Sequence, residues 1–152
     1  MAIIFISLLM LWGWGSKAMA VERMSRDHYA AIIDAGSSGS RLYLYKIELR
    51  RGKRKVEDLY SYEPKNIPGL SEFAWHPQDA FLQGIAPLIE SLKDILKEKG
   101  VPLARVRLHL LATAGLRQLE GTKRLAILAA VRFGASKTGF RVGEIGVLSP
   151  EK

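Results

Sequence analysis

The sequence predicts an α/β fold built on a mixed sheet, with a three-strand antiparallel meander followed by helix, strand, helix and strand. Three observations predict it. Strand-length apolar runs recur at YAAIID, RLYLYKIEL, VRLHLLA and FRVGEIGVL. The first two of these and a weaker candidate after them are joined by connections too short for a helical crossover, so they pair as hairpins. Two later stretches carry apolar residues at spacings of three and four, the period of a helix with one buried face.

The elements follow in order. Residues 1–16, MAIIFISLLMLWGWGS, carry no charged side chain and lead into Ala18-Met19-Ala20, a small-x-small triplet of the kind that precedes signal cleavage. A signal peptide over residues 1–20 is expected, with secretion or a periplasmic or lumenal destination. The run is shorter than the roughly 20 apolar residues of a membrane span. An anchor, and with it a membrane partner, is the alternative if the leader stays uncleaved. Residues 21–28 are a polar lead-in to a strand at 29–34 that ends in Asp34. A carboxylate at that end of a buried strand lies where open sheets keep their ligands.

Residues 41–49 form the next strand, with Ile47 and Leu49 on one side and Lys46 and Glu48 on the other as it emerges toward solvent. The basic RRGKRK of residues 50–55 has strand patterns on both sides and a central glycine, the make-up of a solvated hairpin loop rather than a nucleic-acid patch. A strand over 55–63 follows, then a loop over 64–77 set by its prolines and glycine. Pro77 opens a helix toward Lys99, with Phe81, Ile85, Leu88, Leu92 and Ile95 on its apolar face. Gly84 and Pro87 should kink or split it. A strand over 106–112, a helix over 122–133 with Leu125, Leu128, Ala129 and Arg132 on one stripe, and a strand over 140–148 complete the order.

Composition limits the function. At 152 residues, 48% hydrophobic and 25% charged, the chain has enough apolar content for one globular core. The net charge of +8 suits anionic ligands. With no cysteine, disulfides and zinc-finger-type sites are excluded.

Two glycine-containing loops follow buried strands. In DAGSSGSR, residues 34–41, Gly36 and Gly39 let successive backbone N–H groups point into one concavity, and Ser37, Ser38 and Ser40 add hydroxyl donors. Phosphate oxygens suit such a loop. As bare composition it is equally a tight hairpin turn. Asp34 at its root would repel a phosphate, so its natural partner is a hydrated divalent cation that the phosphates also touch. The second loop, ATAGLR at residues 112–117, offers Thr113, Ala114 and Gly115 for close backbone approach. Two such loops on neighbouring strand ends can flank one phosphate chain.

DAGSSGSR and LLATAGLRQL resemble the first and second signature regions of the apyrases, the nucleoside triphosphate diphosphohydrolases, and PGLS at residues 68–71 fits the same family. The resemblance covers residues 29–149 and includes the order and spacing of the motifs. It implies an actin-like fold of two ribonuclease-H-like lobes, of which this chain would be the amino-terminal one. It also implies hydrolysis of terminal phosphates of nucleoside tri- and diphosphates with Ca2+ or Mg2+. Carried over by match, Gly36, Ser37, Ser38 and Gly39 would cradle the terminal phosphate, with Ser40 and Arg41 in the same motif. Asp34 would hold the metal through water, and Thr113, Ala114 and Gly115 would flank the phosphate and the attacking water. Arg41 and Arg117 have structural alternatives, at a strand start and a helix start.

Phosphate-anhydride hydrolysis without a covalent intermediate also needs a group that activates water. In apyrases that group is a Glu in a third motif, with which VLSPEK at residues 147–152 aligns only at its opening, Pro150 standing in a Gly place. Glu151 falls short of the expected position. The base is expected past Lys152, and the fourth and fifth motifs and the second lobe are expected outside these residues. A one-lobe phosphate or nucleotide binder without turnover is the alternative. An exopolyphosphatase-like enzyme is another, with a similar first loop but a poorer match to ATAGLR and PGLS. His28, His76 and His109 have no spacing that brings them together, and Phe73 and Trp75 are more readily used in loop packing than in stacking on a base.

Overall fold

A computed structural model describes residues 28–148. The signal peptide expected over 1–20 and residues 149–152 lie outside the described residues. Five strands form one sheet: β1 (His28–Ala35), β2 (Ser40–Arg50), β3 (Lys53–Tyr62), β4 (Val106–Ala112) and β5 (Arg141–Val147), in the order β3-β2-β1-β4-β5. β1, β2 and β3 pair antiparallel, while β4 is parallel to both β1 and β5. This is the expected meander continued by two crossovers, the order of an actin-like, ribonuclease-H-like lobe.

Strand alternation places the core. Ala31, Ile33 and Ala35 of β1 stand beside Leu42 and Leu44 of β2 and Leu108, Leu110 and Ala112 of β4, all buried on one face. Helix α1 (Ala86–Glu98) covers that face with Leu88, Ile89, Leu92 and Leu96, and α3 (Gly121–Ser136) adds Ile127, Val131 and Ala135. The long helix expected from Pro77 changes pitch along its length: a 3-10 turn over Pro77–Asp79, a π segment over Ala80–Ile85, then α1. Pro87 sits in the first turn of α1, where its missing N–H costs nothing. Gly84 is buried against Phe73 and Leu70, so the change in winding falls where those side chains press on the backbone.

Three expectations need correction. The buried stripe of α3 is Ile127, Val131 and Ala135, not the one through Leu125, which is 66% exposed. The helix rotates so that Gly134 meets the Phe81 ring, a contact that leaves no room for a larger residue. On β2 the buried side continues from Leu42 and Leu44 to Glu48, while Leu49 is exposed. The carboxylate is paired there: Lys46 donates to Oε1 at 2.8 Å and Arg50 Nε lies 2.8 Å from Oε2, contacts that hold it below its ordinary pKa. The loop expected over 64–77 contains a 3-10 helix, Leu70–Trp75, tied by Glu72: its Oε1 accepts from Gly69 N and its own N–H donates to Gly69 O, both at 3.0 Å.

The basic hairpin narrows to a two-residue turn at Arg51 and Gly52, both with positive φ, as a tight hairpin between twisted strands requires. Across the sheet, His109 Nδ1 accepts a hydrogen bond from Glu144 N at 3.1 Å, and the ring packs against Gly143. Burial first, and the Arg107 charge second, push the imidazole below its usual pKa. The neutral form is therefore the folded form. Its stabilisation is complete above the ordinary histidine value and is lost as pH falls from about 6.5 through the depressed folded value. A melting curve taken between about pH 7 and pH 5 should show this loss, and His109→Asn, which keeps an acceptor at the Nδ1 position without titrating, should flatten it. An unaltered pH slope in that variant would remove His109 from the account.

Candidate functional site

The carboxyl ends of β1 and β4 lie side by side, with Ala35 paired to Ala112. The two loops predicted to flank phosphate therefore leave the sheet as neighbours. Thr113 fastens them: its N–H donates to Ala35 O at 3.1 Å and its hydroxyl to the same oxygen at 3.4 Å. After Thr113 the chain makes one helical turn, α2 (Ala114–Arg117). On the other side, Leu148 N donates to Ala112 O at 2.9 Å and Arg117 Nη1 to Leu148 O at 3.3 Å, a structural use of that arginine.

In the first loop, Gly36 N donates to Gly39 O at 2.8 Å, closing residues 36–39 into a turn. Gly39 has φ +155°, which favours glycine. Ser37 is the meeting point of three segments. A Cβ on Gly69 would fall 2.1 Å from Ser37 O, and a Cβ on Gly115 would fall 2.9 Å from Ser37 Cα and 3.1 Å from Ser71 Oγ. DAGSSGSR, PGLS and ATAGLR, far apart in sequence, thus touch at one residue, and glycine is what permits the approach.

Beside this junction is a cleft of about 80 Å3 lined by Asp34, Gly36, Ser38, Gly39, Ser40, Arg41, Glu63 and Pro64. Six of its eight residues belong to the first motif, whereas Thr113, Ala114 and Gly115 are not in its wall, Gly115 lying against Ser37. Ser37 and Ser38 are exposed, while Ser40 points into the sheet interior with its hydroxyl buried and unpartnered. Arg41 is engaged: Nη2 lies 2.8 Å from Glu63 Oε1. That hydrogen bond, and then the charge of Glu63, raise the guanidinium pKa, and the same bond lowers that of Glu63. Glu63 and Pro64 carry no motif signal and were not among the expected site residues.

Asp34 Oδ1 is buried with no hydrogen-bond partner. A buried carboxylate oxygen with no hydrogen-bond partner is costly unless a ligand completes it. It fits a carboxylate that meets a hydrated divalent cation. Among the described residues no group of three or more His, Cys, Asp or Glu is placed to hold a metal ion.

The chain is 34% identical over 117 residues to a nucleoside-triphosphatase of Pisum sativum, covering 77% of this chain and 25% of that protein. It is 35% identical over 106 residues to an apyrase of Solanum tuberosum, covering 70% and 23%. With the Golgi apyrase of Saccharomyces cerevisiae it shares 32% over 125 residues, covering 72% and 19%. The chain thus spans about a quarter or less of the length of these relatives. The structure of a nucleoside triphosphate hydrolase from Neospora caninum superposes on 86% of this chain and 32% of its own with a TM-score of 0.52 at 20% identity, a likeness of fold. Residues 20–147 match the GDA1/CD39 (nucleoside phosphatase) family, and the chain belongs to it.

Proposed function

We propose that this chain supplies the phosphate-binding lobe of an apyrase-type enzyme that hydrolyses the terminal phosphates of nucleoside tri- and diphosphates with Ca2+ or Mg2+. The observation that carries the reading is the junction at Ser37, where three glycine-containing segments close around one turn beside an unpartnered Asp34 oxygen. Gly36, Ser37, Ser38 and Gly39 cradle the terminal phosphate with backbone and hydroxyl donors. Asp34 holds the cation through water, and the cation, when bound, neutralises phosphate charge. Thr113, Ala114 and Gly115 approach the phosphate from the β4 side and orient the attacking water. The site faces a secretory or lumenal compartment, reached by the leader of residues 1–20.

Calorimetric titration of the full chain with ATP and ADP in the presence of Mg2+ tests this reading. Ser38→Ala removes one donor to a charged oxygen and should weaken binding about tenfold or more. Equal affinity in that variant, or no binding by the parent chain, would overturn the proposal. Phosphate release by this chain alone would place the water-activating group within its 152 residues, against the expectation that it lies beyond them.

A further inference from the structure

Asp34, Arg41 and Glu63 form a row running from β1 across β2 to the residue that follows β3. Asp34, one residue from the end of β1, pairs in register with Arg41 at the start of β2, so the two side chains leave the same face. On the opposite side of β2, Leu42 pairs with Tyr62 of β3, which brings the next residue, Glu63, beside Arg41. All three line the cleft. One guanidinium therefore sits between two carboxylates, and the contact it makes is with the outer one: Nη2 is 2.8 Å from Glu63 Oε1, while Asp34 Oδ1 is buried and unpartnered.

The arrangement is informative because the opposite choice is locally better. A buried unpaired carboxylate oxygen gains more from a guanidinium than an exposed carboxylate does, since the exposed group already has water. Arg41 is drawn outward by Glu63, whose side chain is 64% exposed. Resting on the function proposed above, we infer that Glu63 is a positioning residue: by holding Arg41 at the rim of the cleft, it keeps the Asp34 carboxylate open to the hydrated divalent cation. Glu63 itself need not touch the cation. Its role is to deny Asp34 the internal partner that would compete with the cation for the same oxygen.

The test uses Mn2+ as the probe, titrated into the full chain while paramagnetic broadening of the Gly36 and Ser38 amide signals is followed by nuclear magnetic resonance. Glu63→Gln should raise the half-effect Mn2+ concentration about fivefold, the size of a modest ion-pair effect. Glu63→Asp, which retains the charge, should stay near the parent. Glu63→Gln/Arg41→Gln should recover the parent value, because the competing guanidinium is gone. The deficit in Glu63→Gln should also persist in high salt, which screens a remote charge far more than a contact pair. An unchanged midpoint in Glu63→Gln, a double variant as weak as the single one, or a deficit abolished by salt would each overturn the inference. A parallel titration with inorganic phosphate and Mg2+ separates the two levels. If the loop signals of the parent respond to phosphate and Mn2+ but Glu63→Gln behaves as the parent does, only the positioning role falls. If they respond to neither ligand, the function proposed for the loop falls with it.

Discussion

Gly69→Ala is expected to lower the melting temperature sharply and to abolish nucleotide binding together. At φ −64° and ψ 148° the backbone of Gly69 lies where alanine is at ease, so conformational strain is not the cause. The obstacle is contact. The added methyl would lie 2.1 Å from Ser37 O, 2.7 Å from Ser37 C and 3.2 Å from Gly36 O, all backbone atoms that no rotamer change can move aside. Either the loop of residues 36–39 or the 68–71 segment must shift bodily, at the upper end of overpacking costs, about 3 kcal/mol. A shift of the loop of ~1 Å would also cost about 100-fold in any function that depends on its geometry. Gly146→Ala is the matched control, because no atom lies within 4 Å of its added methyl. Thermal melts and ATP titrations of the two variants decide the matter: a Gly69→Ala chain that behaves like Gly146→Ala would mean the three-loop junction is not rigid.

Asp34→Asn is expected to separate stability from function in the opposite sense. The substitution keeps the shape of the side chain and removes the charge. An outer-shell partner of a metal typically contributes about 10- to 100-fold to affinity, so Mg2+ or Ca2+ should no longer strengthen ATP binding by that factor. The fold should not suffer, because the oxygen concerned has no protein partner to lose. Calorimetry with and without the cation, alongside a thermal melt, distinguishes the outcomes. A large fall in melting temperature with cation dependence intact would make Asp34 a structural residue of the strand end.

The order of strands and helices was legible because the apolar periods are local. YAAIID and VRLHLLA announce buried strands by composition, and the two Gly-containing loops follow them directly in the chain. The stripe of α3 was misread for a physical reason. Leu125 and Ile127 are equally apolar, and what chooses between them is the contact of Gly134 with Phe81, fifty-three residues earlier in the chain. Glu48 was assigned to solvent because a charge in a strand usually belongs there. In the fold its charge is paired with Lys46 and Arg50.

The cleft shows the same division. Its first-motif residues were named from the sequence alone, since a turn of glycines and serines after a strand-end aspartate carries its chemistry in residue type and spacing. Glu63 was not. With the hairpin turn at Arg51 and Gly52, a regular ladder would continue from Tyr45 opposite Asp58 to Leu44 opposite Leu59, and Arg41 would meet Tyr62. Instead Leu44 pairs with Tyr60, a bulge that advances β3 by one residue and delivers Glu63 to Arg41. The sequence by itself determined the order of the strands and longer helices, the family motifs and the glycine- and serine-rich turn after Asp34, because these follow from short-range pattern. The tertiary structure alone decided the convergence of three loops on Ser37 and the direction in which Arg41 turns, because both depend on register and on backbone contacts between segments the chain keeps far apart.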